Sequence, residues 1–400
     1  MGAGGLSEAR LARLHDVMAG HVERGVLPGA VTLVCRRGEI VVDAVGYHTL
    51  GGDELRRDTL FRIASMSKPV TAVAAMILVE ECRIRLDEPV DRFLPELADR
   101  RVLKRPDGPL AETVPANRPI TLRDLLTFRW GFGQVFGDGN EPIAQALAEK
   151  LHGQGPPVPH LAPGPDEWIR RLGELPLMHQ PGEKWLYHTG SDVLGVLIAR
   201  VAGQPFEAFL AERVFGPLGM VDTAFSVPAE KIGRLATSYN FDQAAGSLEV
   251  NDEPVGGQWS SPPAFPSGGG GLVSTVDDYL AFGRMMLDNG RHGNERLLSR
   301  PTVETMTTDQ LTPEQKAVSG FFPGYFDNLG WGFGLAVQTR RDSPHAVPGR
   351  YGWDGGLGTS WWADPKEEML AILLTQRAGF PLFSEPYLDF WTSVYQSIDD

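Results

Sequence analysis

Apolar residues along the chain change period several times, and each change predicts an element. Leu6, Leu11, Leu14, Val17, Met18 and Val22 recur at helical spacing within the polar segment from Met1 to Gly25, which predicts an amphipathic N-terminal helix. Gly29 to Val34 and Glu39 to Gly46 are β-rich runs separated by Arg36-Arg37-Gly38, the signature of an antiparallel hairpin. Val70, Val73, Ala74, Ile77 and Leu78 return to the helical period, with Pro69 near the start, where its missing N–H costs little.

From about Leu86 to Pro266 the pattern becomes helical patches separated by Pro- and Gly-rich loops, notably Gly153 to Pro165. One patch, Val193, Leu194, Val196, Leu197, Ile198 and Val201, is strongly apolar. Strand-like runs reappear at Gly332 to Val337, Thr359 to Trp362 and Met369 to Leu374, and an amphipathic segment from Pro386 to Ile398 follows. Strands near both ends with helices between them predict an α+β fold: an antiparallel sheet flanked by helices, with an inserted, mostly helical lobe. The expected division is an α/β domain from 1–85 and 267–400 and a helical lobe from 86–266, with a ligand cleft between them.

The most informative motif opens the second helix. Ser65-Met66-Ser67-Lys68 places a hydroxyl and an amine at i and i+3, on one helix face. At a helix N-terminus, unpaired N–H groups and the positive end of the dipole favour a developing oxyanion. Burial and that same field push a lysine toward the neutral amine that can accept a proton. Ser65 and Lys68 therefore suggest acyl transfer through an acyl-serine. The same four residues also describe an N-cap serine beside a solvated lysine.

Two further segments bear on that choice. In Pro181-Gly182-Glu183-Lys184-Trp185-Leu186-Tyr187-His188-Thr189-Gly190-Ser191, Tyr187 lies on a turn entering a helix. Its phenol can project into a cleft and, beside an ammonium, lose its proton more easily; a packed, hydrogen-bonded aromatic is the alternative. In Tyr351-Gly352-Trp353-Asp354-Gly355-Gly356-Leu357-Gly358-Thr359, glycines interrupt a β-prone stretch, which marks a close approach of another backbone or a ligand, or a simple bulge. A strand edge there can donate an N–H and, with that of Ser65, form an oxyanion hole.

The order Ser65-x-x-Lys68, Tyr187 after Pro181-Gly182-Glu183, then Trp353-Asp354-Gly355-Gly356 resembles the class C β-lactamase and family VIII carboxylesterase group of penicillin-recognising serine hydrolases. Thr59 to Ala64, Ile84 to Val90, Ile120 to Thr127 and Phe215-Gly216-Pro217-Leu218-Gly219-Met220 extend the resemblance. It implies Ser65 as the acylated nucleophile and Lys68 and Tyr187 as a proton-transfer pair, with Tyr187 the expected base for acylation. It also implies backbone N–H groups of Ser65 and Gly356 as oxyanion donors and a β-lactamase-like fold.

Departures from the group concern the substrate. Thr189 stands where lactamases usually carry an asparagine, and Trp353 stands where they carry the lysine of Lys-Thr-Gly. Asp354 adds negative charge beside it. Trp-containing third motifs resemble the esterase branch, so small neutral carboxylic esters are the expected substrates. Amide or peptide hydrolysis, weak lactamase activity, or a silenced binding cleft are the alternatives. Trp353, Asp354, Gly355, Thr189, His188 and Trp130 are the candidate substrate-binding residues. Phe136, Trp259, Phe321 and Trp331 are further candidates for pocket walls, and His188 is also placed to tune Tyr187 or to serve the fold.

Composition narrows the rest. The 400 residues are 42% hydrophobic and carry a formal net charge of -14, with no local block of lysine or arginine, which argues against nucleic acid and anionic membranes as partners. No run approaches the length of a membrane span, and the first residues lack the apolar core of an export signal, so a cytoplasmic protein is expected. Cys35 and Cys82 lie in apolar patterns and are expected to be buried thiols. No Gly-x-Ser-x-Gly elbow or His-Glu-x-x-His cluster occurs, and no cofactor or metal is expected. Gly268 to Gly271 lacks a P-loop lysine and is expected to be a backbone hinge before a helix from Val276 to Leu287, capped by Ser274 or Thr275.

Overall fold

The computed structural model describes residues 4–136, 139–151, 158–242, 244–379 and 384–400. Its centre is a seven-stranded antiparallel sheet built from β1 (Gly29–Arg36), β2 (Glu39–Gly46), β3 (Leu329–Trp331), β4 (Ala336–Gln338), β5 (Tyr351–Gly355), β6 (Thr359–Asp364) and β7 (Met369–Thr375). The spatial order is β3-β4-β5-β6-β7-β1-β2, so a strand near the start pairs with one near the end, Ala30 facing Thr375 and Arg36 facing Met369. The antiparallel sheet assembled from distant parts of the chain, expected from the sequence, is therefore the one observed.

Alternation sorts each central strand between two apolar clusters. Val31, Leu33, Cys35, Leu370, Ile372 and Leu374 join the cluster that contains α2 (Ser67–Glu80), α3 (Thr189–Ala202) and α4 (Val276–Leu287). Ala30, Val34, Ala371 and Leu373 point the other way, onto α1 (Glu8–Glu23) and α5 (Glu385–Gln396). Both faces are covered, which is why β1, β6 and β7 are buried at every position and read as continuous apolar runs. The larger cluster continues unbroken into the 86–266 segment through Leu122, Leu125, Trp168, Phe209 and Leu218.

Two expectations need correction, and a third gains a detail. Gly332 to Val337 is not one strand: Gly332 to Leu335 is the turn between β3 and β4, closed by Gly332 N–H donating to Leu335 O at 2.9 Å, and only Ala336 and Val337 are in β4. A Cβ on Gly332 would lie 2.0 Å from Met306 O, and Gly334, at φ 71°, packs against the Lys68 backbone, so the bend is forced by close approach. The mostly helical 86–266 segment also carries a hairpin, Ser238–Asp242 and Ser247–Asp252, that pairs onto Arg377–Ala378. Five of the six positions in Ser247–Asp252 are exposed or half-buried, although Leu248 and Val250 alternate with polar residues at the strand period. Cys35 is buried but Cys82 is exposed, because α2 ends at Glu80 and the chain turns outward with Cys82 at φ 57°.

Elsewhere the expected elements are present. Thr275, not Ser274, caps α4 by accepting the Asp278 N–H. The expected loop from Gly153 to Pro165 falls partly outside the described residues, and Pro165 itself begins a helix, Pro165–Gly173. Among the described residues no single helix is long and apolar enough to cross a membrane.

Candidate active site

Ser65 occupies a 3-10 turn, Ala64–Met66, that leads directly into α2. The turn is tight enough to hold Ala64 at φ 44°, a left-handed conformation costly for a residue with a Cβ. Hydrogen bonds on three sides maintain it. Ile63 N–H donates to Leu272 O at 3.0 Å, Thr359 Oγ1 donates to Ile63 O at 3.1 Å, and Ser67 Oγ donates to Ala64 O at 2.7 Å. Tyr279 on α4 donates its phenol to Met66 O at 2.8 Å. The strain is thus distributed over a rigid surround, and Ser65 is left half-buried at the surface of the turn.

Lys68 lies one turn further on, fully buried, with Nζ 2.8 Å from Ser65 Oγ. Burial pushes its ammonium down to about 7, against the opposing pull of the Asp192 charge. Nζ has two other partners, Gly269 O at 2.5 Å and His188 Nδ1 at 3.1 Å. A neutral amine spends its two N–H bonds on these acceptors and turns its lone pair toward the serine hydroxyl.

The phenol of Tyr187 hydrogen-bonds Ser65 and accepts the indole N–H of Trp353 at 2.8 Å, and Lys68 Nζ lies 4.5 Å from the centre of its ring. The expectation that Tyr187 loses its proton readily is not met. Burial drives its acidity strongly the other way, beyond what its two hydrogen bonds restore, because Trp353 supplies a dipole and no positive charge.

The Gly-rich strand reaches the serine turn as expected. A Cβ on Gly355 would lie 2.3 Å from Ile63 O, so only glycine lets β5 come this close. Gly356, next along, faces open space.

Several candidate substrate-binding residues have other partners. Asp354 points across the sheet, where its buried carboxylate accepts from Ser360 Oγ at 2.6 Å, Trp362 Nε1 at 3.0 Å and the Tyr387 phenol at 3.2 Å. Neighbouring strand residues face opposite sides, so with Trp353 on the site side Asp354 cannot be. Trp353 is only 2% exposed and binds Tyr187, not the cleft. Trp130 is wholly buried beside Phe132, as are Trp259 and Trp331 in their own clusters. Thr189 is buried in the first turn of α3, its N–H returned to Tyr187 O at 3.2 Å. Phe136, 53% exposed, meets Phe321 edge to face, and Phe321 in turn touches the Tyr187 ring, so these two form an aromatic border to the site.

The Gly268–Gly271 run is not a hinge. It is buried, and its backbone binds the site: Gly269 O takes Lys68, Gly268 O takes Thr71 Oγ1 at 2.8 Å, and Gly269 N–H donates to Asp192 at 2.9 Å. A Cβ on Gly268 would meet Ser191 O at 2.4 Å. Asp192 and Ser267 are functional-site residues the sequence reading missed; the His188-to-Asp192 spacing of four on a helix was the available signal.

A strained serine turn, a buried lysine and a tyrosine converging at the rim of an antiparallel sheet define a β-lactamase-fold serine hydrolase. The chain belongs to the β-lactamase family: the family model described as Beta-lactamase matches residues 14–389. It is 41% identical over 361 residues to Protein Rv1367c of Mycobacterium tuberculosis, covering 88% of this chain and 87% of that protein. It is 32% identical over 390 residues to Esterase EstB of Burkholderia gladioli, covering 92% and 90%. The solved structure of EstCE1, described as a hydrolase with promiscuous acyltransferase activity, superposes with a TM-score of 0.79 at 26% identity, covering 97% of this chain and 99% of that one. These likenesses fit the family VIII carboxylesterase group of penicillin-recognising serine hydrolases.

Proposed function

We propose that the protein hydrolyses small, neutral carboxylic esters through an acyl-serine intermediate, without a cofactor. The observation that carries this reading is a fully buried Lys68, held near neutrality, with Nζ 2.8 Å from Ser65 Oγ. Lys68 takes the Ser65 proton as Oγ bonds to the ester carbonyl carbon. The oxyanion is met by the N–H groups of Ser65 and Gly356. On collapse the C–O bond to the alcohol breaks, and the leaving alkoxide takes a proton from the Lys68 ammonium. Water then attacks the acyl-serine, Lys68 accepts its proton and returns one to Ser65, and the carboxylic acid departs.

Tyr187 enters this scheme as a neutral phenol hydrogen-bonded to Ser65, not as the first base, since burial opposes its ionisation while burial also frees the Lys68 amine. The preference for neutral esters is supported by Trp353, which supplies no cation for a substrate carboxylate. One charge-assisted hydrogen bond is worth about 1.5–3 kcal/mol, so its absence weakens binding of an anionic lactam by roughly 10- to 100-fold. EstB, by its name an esterase, supports the same assignment.

The reading is tested by release of p-nitrophenol from its acetate and butyrate esters. Turnover abolished in Ser65→Ala supports it. Turnover of nitrocefin with none of either ester overturns it.

A further inference from the structure

We propose that His188 and Asp192 are positioning residues behind Lys68, completing a hydrogen-bonded chain from Ser65 Oγ through Lys68 Nζ and the His188 imidazole to the Asp192 carboxylate. The proposal rests on the acyl-serine reading above. Its steps are short: 2.8 Å from Oγ to Nζ, 3.1 Å from Nζ to His188 Nδ1, and 3.3 Å from Nε2 to Asp192 Oδ2.

The backbone is bent to make this chain. His188 has φ 81° and ψ -69°, with Thr189 N–H returned to Tyr187 O at 3.2 Å, the geometry of a strained three-residue γ-turn. An unconstrained histidine avoids that conformation. Here it aims the side chains of Tyr187 and His188, adjacent in sequence, at the same amine from two directions.

Asp192 fixes the histidine tautomer. Its Oδ1 is already filled by Ser267 Oγ at 2.6 Å and Gly269 N–H at 2.9 Å, and Oδ2 faces His188 Nε2. Against burial, His188 first and then the Ser267 and Gly269 donors hold the carboxyl below its usual range, and a carboxylate there accepts the Nε2 proton and leaves Nδ1 as a bare acceptor. Lys68 then finds two fixed acceptors, Gly269 O and His188 Nδ1, and its lone pair has one direction left, toward Ser65. The charged groups facing His188 among the described residues are Lys68 from α2 and Asp192 from its own helix, with the Tyr187 phenol alongside; the 267–271 segment offers the Ser267 hydroxyl and backbone groups only.

Two substitutions make opposite changes. Asp192→Asn puts an amide N–H toward Nε2, which forces the proton onto Nδ1 and points it at Lys68, while removing the charge that raises the lysine. His188→Gly suits the positive φ, opens a space for water and relieves the desolvation that lowers the lysine.

The experiment measures kcat, KM and the pH profile of kcat/KM for p-nitrophenyl butyrate in both variants and in Ser65→Ala, with thermal unfolding alongside. The expected result is a fall in kcat of about 100-fold in each variant with KM changed less than about threefold. The acid-limb midpoint moves down in Asp192→Asn and up in His188→Gly, and added imidazole restores part of the His188→Gly rate. Wild-type kcat and an unmoved midpoint in His188→Gly overturn the proposal, and that variant decides the matter should Asp192→Asn not fold. Lost activity with an unmoved midpoint, no imidazole response and a lowered melting temperature reduces the pair to a structural tie and also overturns it. Retained turnover in Ser65→Ala would instead sink the acyl-serine reading itself.

Discussion

Trp353 donates its indole N–H to the Tyr187 phenol oxygen at 2.8 Å, so the residue standing where related lactamases carry a cation is spent on orienting the tyrosine. Both rings are nearly buried, Tyr187 at 7% exposure and Trp353 at 2%, which leaves the indole no face for a ligand. Trp353→Phe retains most of the apolar bulk and deletes the donor. One neutral hydrogen bond is worth about 1 kcal/mol, so kcat is expected to fall roughly 5- to 10-fold with little change in KM. Steady-state kinetics check this; a raised KM at constant kcat would put the indole against substrate instead.

Asp354 is expected to serve the fold and not the ligand. Its carboxylate collects three buried donors, from Ser360, Trp362 and Tyr387. Asp354→Ala strands them, at a cost of about 1–3 kcal/mol for each donor left unpaired, and is expected to lower the urea midpoint clearly. KM for p-nitrophenyl butyrate in the folded fraction is expected to stay within about threefold of wild type, measured below the unfolding transition.

Much of this architecture was legible because burial leaves a pattern. The α2 helix, the β1–β2 hairpin and the Ser65–Lys68 pair follow from local periodicity and spacing, and the structure brings them together as the sequence suggests. What stayed hidden depends on contacts distant in sequence. The Gly268–Gly271 run has no local signal that it wraps Lys68, 201 residues away from Gly269. Asp354 reads as a charge at the site until strand alternation turns it to the other face. Tyr187 looks ready to ionise beside a lysine, but that inference requires the lysine to be charged, and burial depresses exactly that state in Lys68 while opposing the phenoxide in Tyr187. The hairpin of Ser238–Asp242 and Ser247–Asp252, by contrast, was legible and passed over: Tyr239 and Phe241, then Leu248 and Val250, alternate with polar residues at the strand period.

Gly355 tests the approach of strand to nucleophile. Gly355→Ala places a methyl about where Ile63 O and Thr359 Oγ1 now lie, at 2.3 and 2.1 Å from the new carbon. The strand or the serine turn must retreat, and overpacking of this kind costs about 1–3 kcal/mol. The expected outcome is a lower melting temperature together with a fall in kcat of at least about tenfold, since a small displacement of reacting groups is costly.

The buried lysine also predicts how stability depends on pH. Its folded value, about 7, lies below the unfolded value of 10.5, so between these limits the unfolded chain holds more protons and stability rises with pH. Below about pH 7 the full penalty applies, on the order of a few kcal/mol. Lys68→Met removes it. The variant is therefore expected to melt above wild type at about pH 6.5, with the gap narrowing toward about pH 9.5, as scanning calorimetry would follow.

The central claim is that a neutral Lys68 makes Ser65 the nucleophile, and it is tested most directly by the pH dependence of phosphonate labelling read by intact mass and peptide mapping. The account predicts one adduct per chain, on Ser65, forming at a rate that rises with pH to a plateau with a midpoint near 7, and none in Ser65→Ala. An adduct mapped to any other residue, or a Ser65 labelling rate that follows no ionisation near neutrality and survives in Lys68→Met, would contradict it.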